Sequence, residues 1–209
     1  MSYSLQLMHC LFLDLASHHG LLACVTEDAV RASRAVDHRI GDHELVPLIE
    51  TVLKEAGWNY PDLTQIACVT GPGGFTSLRV AVTCANVLAD QLGIPSAGVH
   101  LSELYRERSV DSDQRSDVYW LHSTKKDQLF VRGGQWKDPS LVLLGDLLQQ
   151  LPKKISWCGE LIEEQAKSIG AVAEIAESPL RKNEDILPKF LANLRYENKP
   201  LEPWYGRGY

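Results

Sequence analysis

The chain has 209 residues, 44% hydrophobic and 23% charged, a balance typical of folded domains, and it is long enough to bury about 70% of its unfolded surface without a disulfide or metal staple. Its 21 Lys plus Arg against 27 Asp plus Glu leave a formal net charge of -6, which argues against unaided tight binding of a polyanion such as RNA. No uncharged apolar run reaches the ~18 residues of a membrane span, and Asp14 interrupts the opening apolar stretch, so a cytoplasmic protein without membrane association is expected.

Three β signals open the chain, at residues 11–16, 21–26 and 30–36. His18-His19-Gly20 and Glu27-Asp28 suit tight turns between them, which predicts a three-strand meander. Asp42 then offers an N-cap to a helix whose apolar side is Leu45, Leu48, Ile49, Val52, Leu53 and Ala56, ending at Gly57, with Pro47 expected near the first turn. A short strand at 66–69 runs into Gly71-Pro72-Gly73-Gly74, followed by a second helix from Phe75 to Leu92 closed by Gly93 and Pro95. A strand at 96–99 and a short helix at 101–108 complete the first part.

The order β-β-β-α-β-α-β-α, in which helical crossovers force the later strands to be parallel, is that of the α/β ribonuclease-H-like and actin-like ATPase folds. Residues 1–108 are expected to be a first lobe, 109–117 a polar linker and 118–209 a smaller, degenerate second lobe. The second lobe is predicted to hold strands at 118–121, 129–131, 155–158 and 171–175, with helices at 145–151, 160–169 and 185–194.

The chemistry these residues permit is narrow. A two-metal nuclease of this fold needs three or four carboxylates; Asp14 with Glu44 or Glu50 supplies two, but Cys68, Val69 and Thr70 stand where the third belongs. An ATPase of this fold needs phosphate-gripping turns in both lobes. The first lobe offers Asp14, Ser17 and the Gly71 turn, whereas Gly133-Gly134 in the second leads into Trp136 and Pro139. Gly71, Gly73, Gly74, Phe75 and Thr76 form either an anion-binding helix start or a tight turn capped by Thr76; the loop lacks the Lys of a Walker A and the last Gly of G-x-G-x-x-G. His38 and His43 are about 140° apart around a helix, His18 and His19 point apart, and no G-x-S-x-G elbow or Cys/His signature is present. The five cysteines, Cys10, Cys24, Cys68, Cys84 and Cys158, have no C-x-x-C spacing and are expected to be reduced and buried. On the second helix Ser77, Ala81 and Ala85 recur every fourth residue, with Cys84 alongside. Such a strip lets another backbone come close, either the protein's own sheet or a helix of another chain.

Several stretches resemble one family. Residues 66–79, with Gly71-Pro72-Gly73-Gly74-Phe75-Thr76-Ser77-Leu78-Arg79, are similar to the G-P-G-S-F-T-G-x-R signature of the TsaB (YeaZ) family, factors in threonylcarbamoyladenosine modification of tRNA. Leu13-Asp14-Leu15-Ala16-Ser17 resembles its opening I-D-T-S strand, and His43-Glu44-Leu45-Val46-Pro47 its H-S-x-x-L-L-P helix start. Gly93-Ile94-Pro95 through Ser102 is similar to I-P-x-x-G-V-S-S-L, and Pro203-Trp204-Tyr205-Gly206-Arg207 to the terminal P-x-Y-L-R. Three departures stand out: Gly74 for Ser, Ser77 for Gly, and Leu15-Ala16 for the D-T pair. The family's A-R-x-x-E-V-Y stretch is also replaced, at 123–130, without its Arg.

The resemblance implies a two-lobe pseudo-ATPase with no catalytic residue, no metal and no cofactor of its own, ATP or ADP at a partner interface being the one nucleotide option. It further implies a scaffold that binds and activates a TsaD-like catalytic subunit, joined by a TsaE-like ATPase, with a homodimer through the same helices and tRNA met only through the complex. The interface residues expected on this basis are His43, Leu45, Leu48, Ile49, Val52, Ser77, Ala81, Cys84, Ala85 and Leu88. The alternatives are a stand-alone peptidase of the glycoprotease type working through His43 or Asp14, and a nucleotide-binding switch using Gly71–Thr76.

Overall fold

The computed structural model describes residues 7–36, 42–110 and 118–206. The Asp42 side chain, His38, Arg207 and the linker over 111–117 lie outside the described residues. Strands β1 (Cys10–Asp14), β2 (Gly20–Val25) and β3 (Val30–Val36) form the expected antiparallel meander, followed by helix α1 (Asp42–Ala56), strand β4 (Gln65–Gly71), helix α2 (Phe75–Leu92), strand β5 (Ser96–His100) and helix α3 (Leu101–Arg108). The sheet order is β3-β2-β1-β4-β5, with β1 and β5 both parallel to β4.

Every residue of β1 and β2 is buried, which is why these strands read as continuous apolar runs rather than alternating ones. Leu11, Leu13, Leu22, Ile66 and Cys68 point to one face of the sheet. There they share a core with Leu45, Ile49, Val52 and Leu53 of α1 and Ala81, Val82 and Ala85 of α2. Each large aliphatic side chain withdrawn from water here contributes about 1.5–3 kcal/mol. Gly93 closes α2 in the left-handed conformation at φ 64°, as the sequence predicted. Pro47 stands in the sixth position of α1, beyond the first turn.

The second sheet repeats the plan of the first. Strands β6 (Val118–Lys125), β7 (Gln128–Gly133) and β8 (Trp136–Leu143) form a second meander. Helix α4 (Leu144–Gln150), strand β9 (Lys154–Glu160), helix α5 (Glu163–Gly170), strand β10 (Glu174–Glu177) and helix α6 (Asn183–Ala192) follow. The order β10-β9-β6-β7-β8 is that of the first sheet, element for element. The reduction of this lobe therefore lies in its helices, 7 and 8 residues for α4 and α5 against 15 and 18 for α1 and α2. Strand β8 escapes the sequence because Pro139 sits inside it; at the sheet edge the missing N–H leaves no ladder bond unmade. Glu160, expected to start a helix, instead ends β9.

The chain divides differently from the expected break at 108. The first unit comprises residues up to His100 together with Asn183–Trp204, and the second Leu101–Lys182 with Tyr205 and Gly206. Helix α3 belongs to the second unit because Leu101, Leu104 and Tyr105 are buried there. Ser109, expected in the linker, bridges to Leu180 instead. No helix among the described residues is long and apolar enough to cross a membrane.

Candidate functional site

The loop between β4 and α2 is built around internal packing. Gly71 has φ 140°, and a Cβ there would collide with the Trp204 carbonyl. A Cβ on Gly73 would come within 2.7 Å of the Ala16 backbone. Both glycines are thus required by approaching chain segments. Gly74 is the N-cap, exposed and without a side-chain cap, so the expected capping by Thr76 is not what begins this helix. Phe75 is 60% exposed and the Arg79 guanidinium lies 4.9 Å from its ring centre.

The neighbouring β1–β2 turn already holds an anion of its own. The Asp14 carboxylate, buried at the end of β1, accepts the Ala16 and Ser17 amides at 2.9 and 3.1 Å and the Ser17 hydroxyl at 2.7 Å. The Ala16 and Ser17 N–H groups on that turn are therefore occupied. In the second unit the corresponding helix start, α5, carries Glu163 and Glu164 in its first turn, which repels an incoming anion. Its Gln165 side chain donates to the Lys125 carbonyl at 2.7 Å and the Gln128 carbonyl at 3.1 Å, and accepts from the Ser123 hydroxyl at 2.7 Å, fixing the β6–β7 turn.

Also within the second unit, Tyr105 donates to Glu160 Oε1 at 2.8 Å, and His122 Nδ1 stands 3.3 Å from Glu160 Oε2, all three side chains being buried. Nothing in the sequence pattern signalled this trio, since its members come from α3, β6 and β9. Among the described residues no group of three or more His, Cys, Asp or Glu is placed to hold a metal ion. Glu50 is exposed on α1, and His18 and His19 are exposed in their turn.

The expected interface residues separate into two sets. Leu45, Ile49, Val52, Ala81 and Ala85 are buried inside their own unit, at 0–1% exposure, and this corrects their assignment to a partner surface. The small residues Ala81 and Ala85 let α2 settle closely on its own sheet. His43 is exposed; Leu48, Ser77, Cys84 and Leu88 are half-buried, with Leu48, Cys84 and Leu88 along the rim of the core. Outside them lie residues the sequence reading passed over: Val46 at 48% and Val87 at 55% exposure, beside half-buried Val80. On α2, Val80, Thr83, Cys84 and Val87 share one side by helical spacing. Tyr60 connects this side to α1: burial, then the charges of Glu50 and Cys84, raise its phenol above the ordinary value.

The family model for TsaD, tRNA N6-adenosine threonylcarbamoyltransferase, matches residues 38–135. The tRNA threonylcarbamoyladenosine biosynthesis protein TsaB of Buchnera aphidicola is 25% identical over 169 residues, covering 74% of this chain and 76% of that protein. A solved structure from Pseudomonas aeruginosa, described as an uncharacterized protein with similarity to peptidase YEAZ, aligns with a TM-score of 0.72 and 19% identity over 96% of this chain and 100% of that one. The chain is thus similar to TsaB (YeaZ) proteins over most of its length. Its fold is accordingly the two-lobe actin-like, ribonuclease-H-like architecture. The chain is also 37% identical to the tRNA N6-adenosine threonylcarbamoyltransferase of Ralstonia pickettii over 182 residues, 81% of this chain, but it spans only 47% of that enzyme's length. Against the TsaB-family signature, Gly74 is a tolerated departure: a Cβ there would meet only Ser77 Oγ, at 3.6 Å.

Proposed function

We propose that this TsaB-like chain is a partner subunit in the threonylcarbamoyl modification of the adenosine beside the tRNA anticodon, and that it docks on a TsaD-like enzyme through the outer sides of α1 and α2. The observation that carries this reading is that Val46 on α1 and Phe75 and Val87 on α2 are exposed, with Val80 half-buried, on two helices whose inner sides pack on their own sheet. Exposed apolar groups gathered on adjoining elements mark interaction surfaces. The likeness to both TsaB and TsaD proteins supports a helix-on-helix contact between related folds. In this reading the chain supplies no catalytic group and keeps no cofactor. A TsaE-like ATPase joins the assembly, a homodimer competes for the same helices, and RNA is met through the complex.

The peptidase and nucleotide-switch alternatives draw less support. The Ser17 hydroxyl is committed to Asp14, and the Gly71 and Gly73 positions are filled by Trp204 and Ala16. The test is copurification of the chain with the TsaD-like protein of its host, wild type against Val87→Arg, together with the threonylcarbamoyladenosine content of tRNA after depletion. Loss of the pair in a folded Val87→Arg variant, with a fall in modified nucleoside on depletion, is expected. Undiminished pairing would overturn the docking face.

A further inference from the structure

The segment 197–204 is bound within the first unit along its length, and two of its anchors lie on α2 and on the end of β4, just before the loop that leads into α2. Glu197 and Ser96 exchange backbone bonds in both directions, at 3.0 and 2.9 Å, on the outer edge of β5. Asn86, midway along α2, donates through Nδ2 to the Leu201 carbonyl at 3.0 Å and accepts the Leu201 amide on Oδ1 at 2.8 Å. Further on, the Trp204 amide donates to the Thr70 carbonyl at 2.7 Å, and the Trp204 indole meets His100 edge-on at 4.5 Å.

Asn86 has no propensity reason to stand in a helix interior, where Ala or Leu serves better. Its amide is, however, one of only two neutral side-chain groups that offer a donor and an acceptor in the fixed geometry of a peptide unit, which is what reading a backbone in both directions demands. The start of the same helix, about three turns before Asn86, has no side-chain cap of its own. Gly74 gives no side-chain cap, and the stretch Gly71-Pro72-Gly73-Gly74 contains three residues without a Cβ.

We propose that segment 197–204 is a strap that positions α2: Asn86 on the helix and the Thr70 carbonyl at the end of β4 clamp the helix and the strand that leads into it to one stretch of backbone, fixing where Phe75, Val80 and Val87 are presented. The role given to those three side chains rests on the docking reading above, whereas the clamp itself does not. Asn86 and Trp204 are thus positioning residues, and the strap holds the docking face in place.

The experiment compares full-length wild type, Asn86→Leu, Asn86→Asp and Trp204→Pro by amide hydrogen exchange and by affinity for the TsaD-like protein. Asn86→Leu removes both bonds, Asn86→Asp keeps the acceptor for the Leu201 amide, and Trp204→Pro removes the donor to Thr70 without altering α2. Expected is faster exchange over residues 74–80, by about tenfold or more, with protection in β1 and β4 retained, and affinity weakened by about tenfold, with Asn86→Asp intermediate. Unchanged exchange at 74–80 in Asn86→Leu and Trp204→Pro overturns the clamp. Faster exchange with unchanged affinity, where Val87→Arg does abolish binding, overturns the coupling to docking. If the wild type itself does not bind, the docking reading falls, and exchange alone decides the clamp. Should Asn86→Leu not fold, Trp204→Pro carries the same comparison.

Discussion

Asp14 and Ser17 are joined twice, by the Ser17 hydroxyl donating to Oδ2 at 2.7 Å and the Ser17 amide donating to Oδ1 at 3.1 Å. With the Ala16 amide also on Oδ1, one buried carboxylate fixes the whole β1–β2 turn. Replacing Asp14 by Ala strands these donors, and stability should fall by about 1–3 kcal/mol. Asp14→Asn, which keeps one acceptor oxygen, should cost less. Urea denaturation checks the order; an Asn variant as weak as the Ala variant would contradict the assigned bonds.

Ala81 and Val87 make opposite predictions although both lie on α2. Ala81 is fully buried against the sheet, so Ala81→Arg should prevent folding, visible as lost helical circular dichroism or insoluble protein. Val87 is 55% exposed, and Val87→Arg should shift stability by no more than about 0.5 kcal/mol. A folded Ala81→Arg protein would place α2 in another rotation about its axis.

Tyr105→Phe removes the donor to Glu160 and leaves the ring in place. The bond goes to a buried carboxyl group, so a loss of about 1.5–3 kcal/mol is expected. Trp120 stacks on His122 at 5.7 Å, which makes tryptophan emission a local reporter of the change. A variant with wild-type stability and spectrum would show that the contact is not held in solution.

Four of the five thiols should resist modification. Burial pushes Cys10, Cys24 and Cys158 up to about 12 from the ordinary 9.0 and raises Cys68 as well. Cys84, also raised by burial, is the only half-buried one. A thiol reagent at neutral pH should therefore label Cys84 alone until the protein unfolds. Above pH 9.0 the unfolded chain sheds thiol protons that the folded chain retains, so stability is whole below that value and declines as pH climbs toward about 12. Chemical denaturation at a series of alkaline pH values measures the decline; a flat profile would contradict burial of these thiols.

Helix α2 is legible in the sequence because Gly93 marks its end, and helix α3 lies at the expected 101–108. The meander, the parallel strands and the family signature were equally readable. Strand β8 was hidden by Pro139, whose harmlessness depends on an edge position that only pairing reveals. The inward turn of Ala81 and Ala85 was hidden for a related reason: a small-residue strip says that something comes close, without saying what. Asp14 was readable as a functional carboxylate, yet its partners are backbone amides two and three residues on, a local bond that competes with any ligand. The trio Tyr105, His122 and Glu160 has no sequence signature, since its residues are 55 positions apart at the hydrogen-bonded pair.

The assignment of residues 183–204 to the first unit also has a bearing on how the molecule comes into being. As the polypeptide leaves the ribosome, the opening sheet emerges early but lacks α6 and the stretch after it, including Tyr196, whose hydroxyl reaches Cys10 at 3.6 Å. Translation must pass residue 204 before that sheet can be finished. A nascent chain halted midway would carry an incompletely clothed β layer, the kind of surface that chaperones recognise.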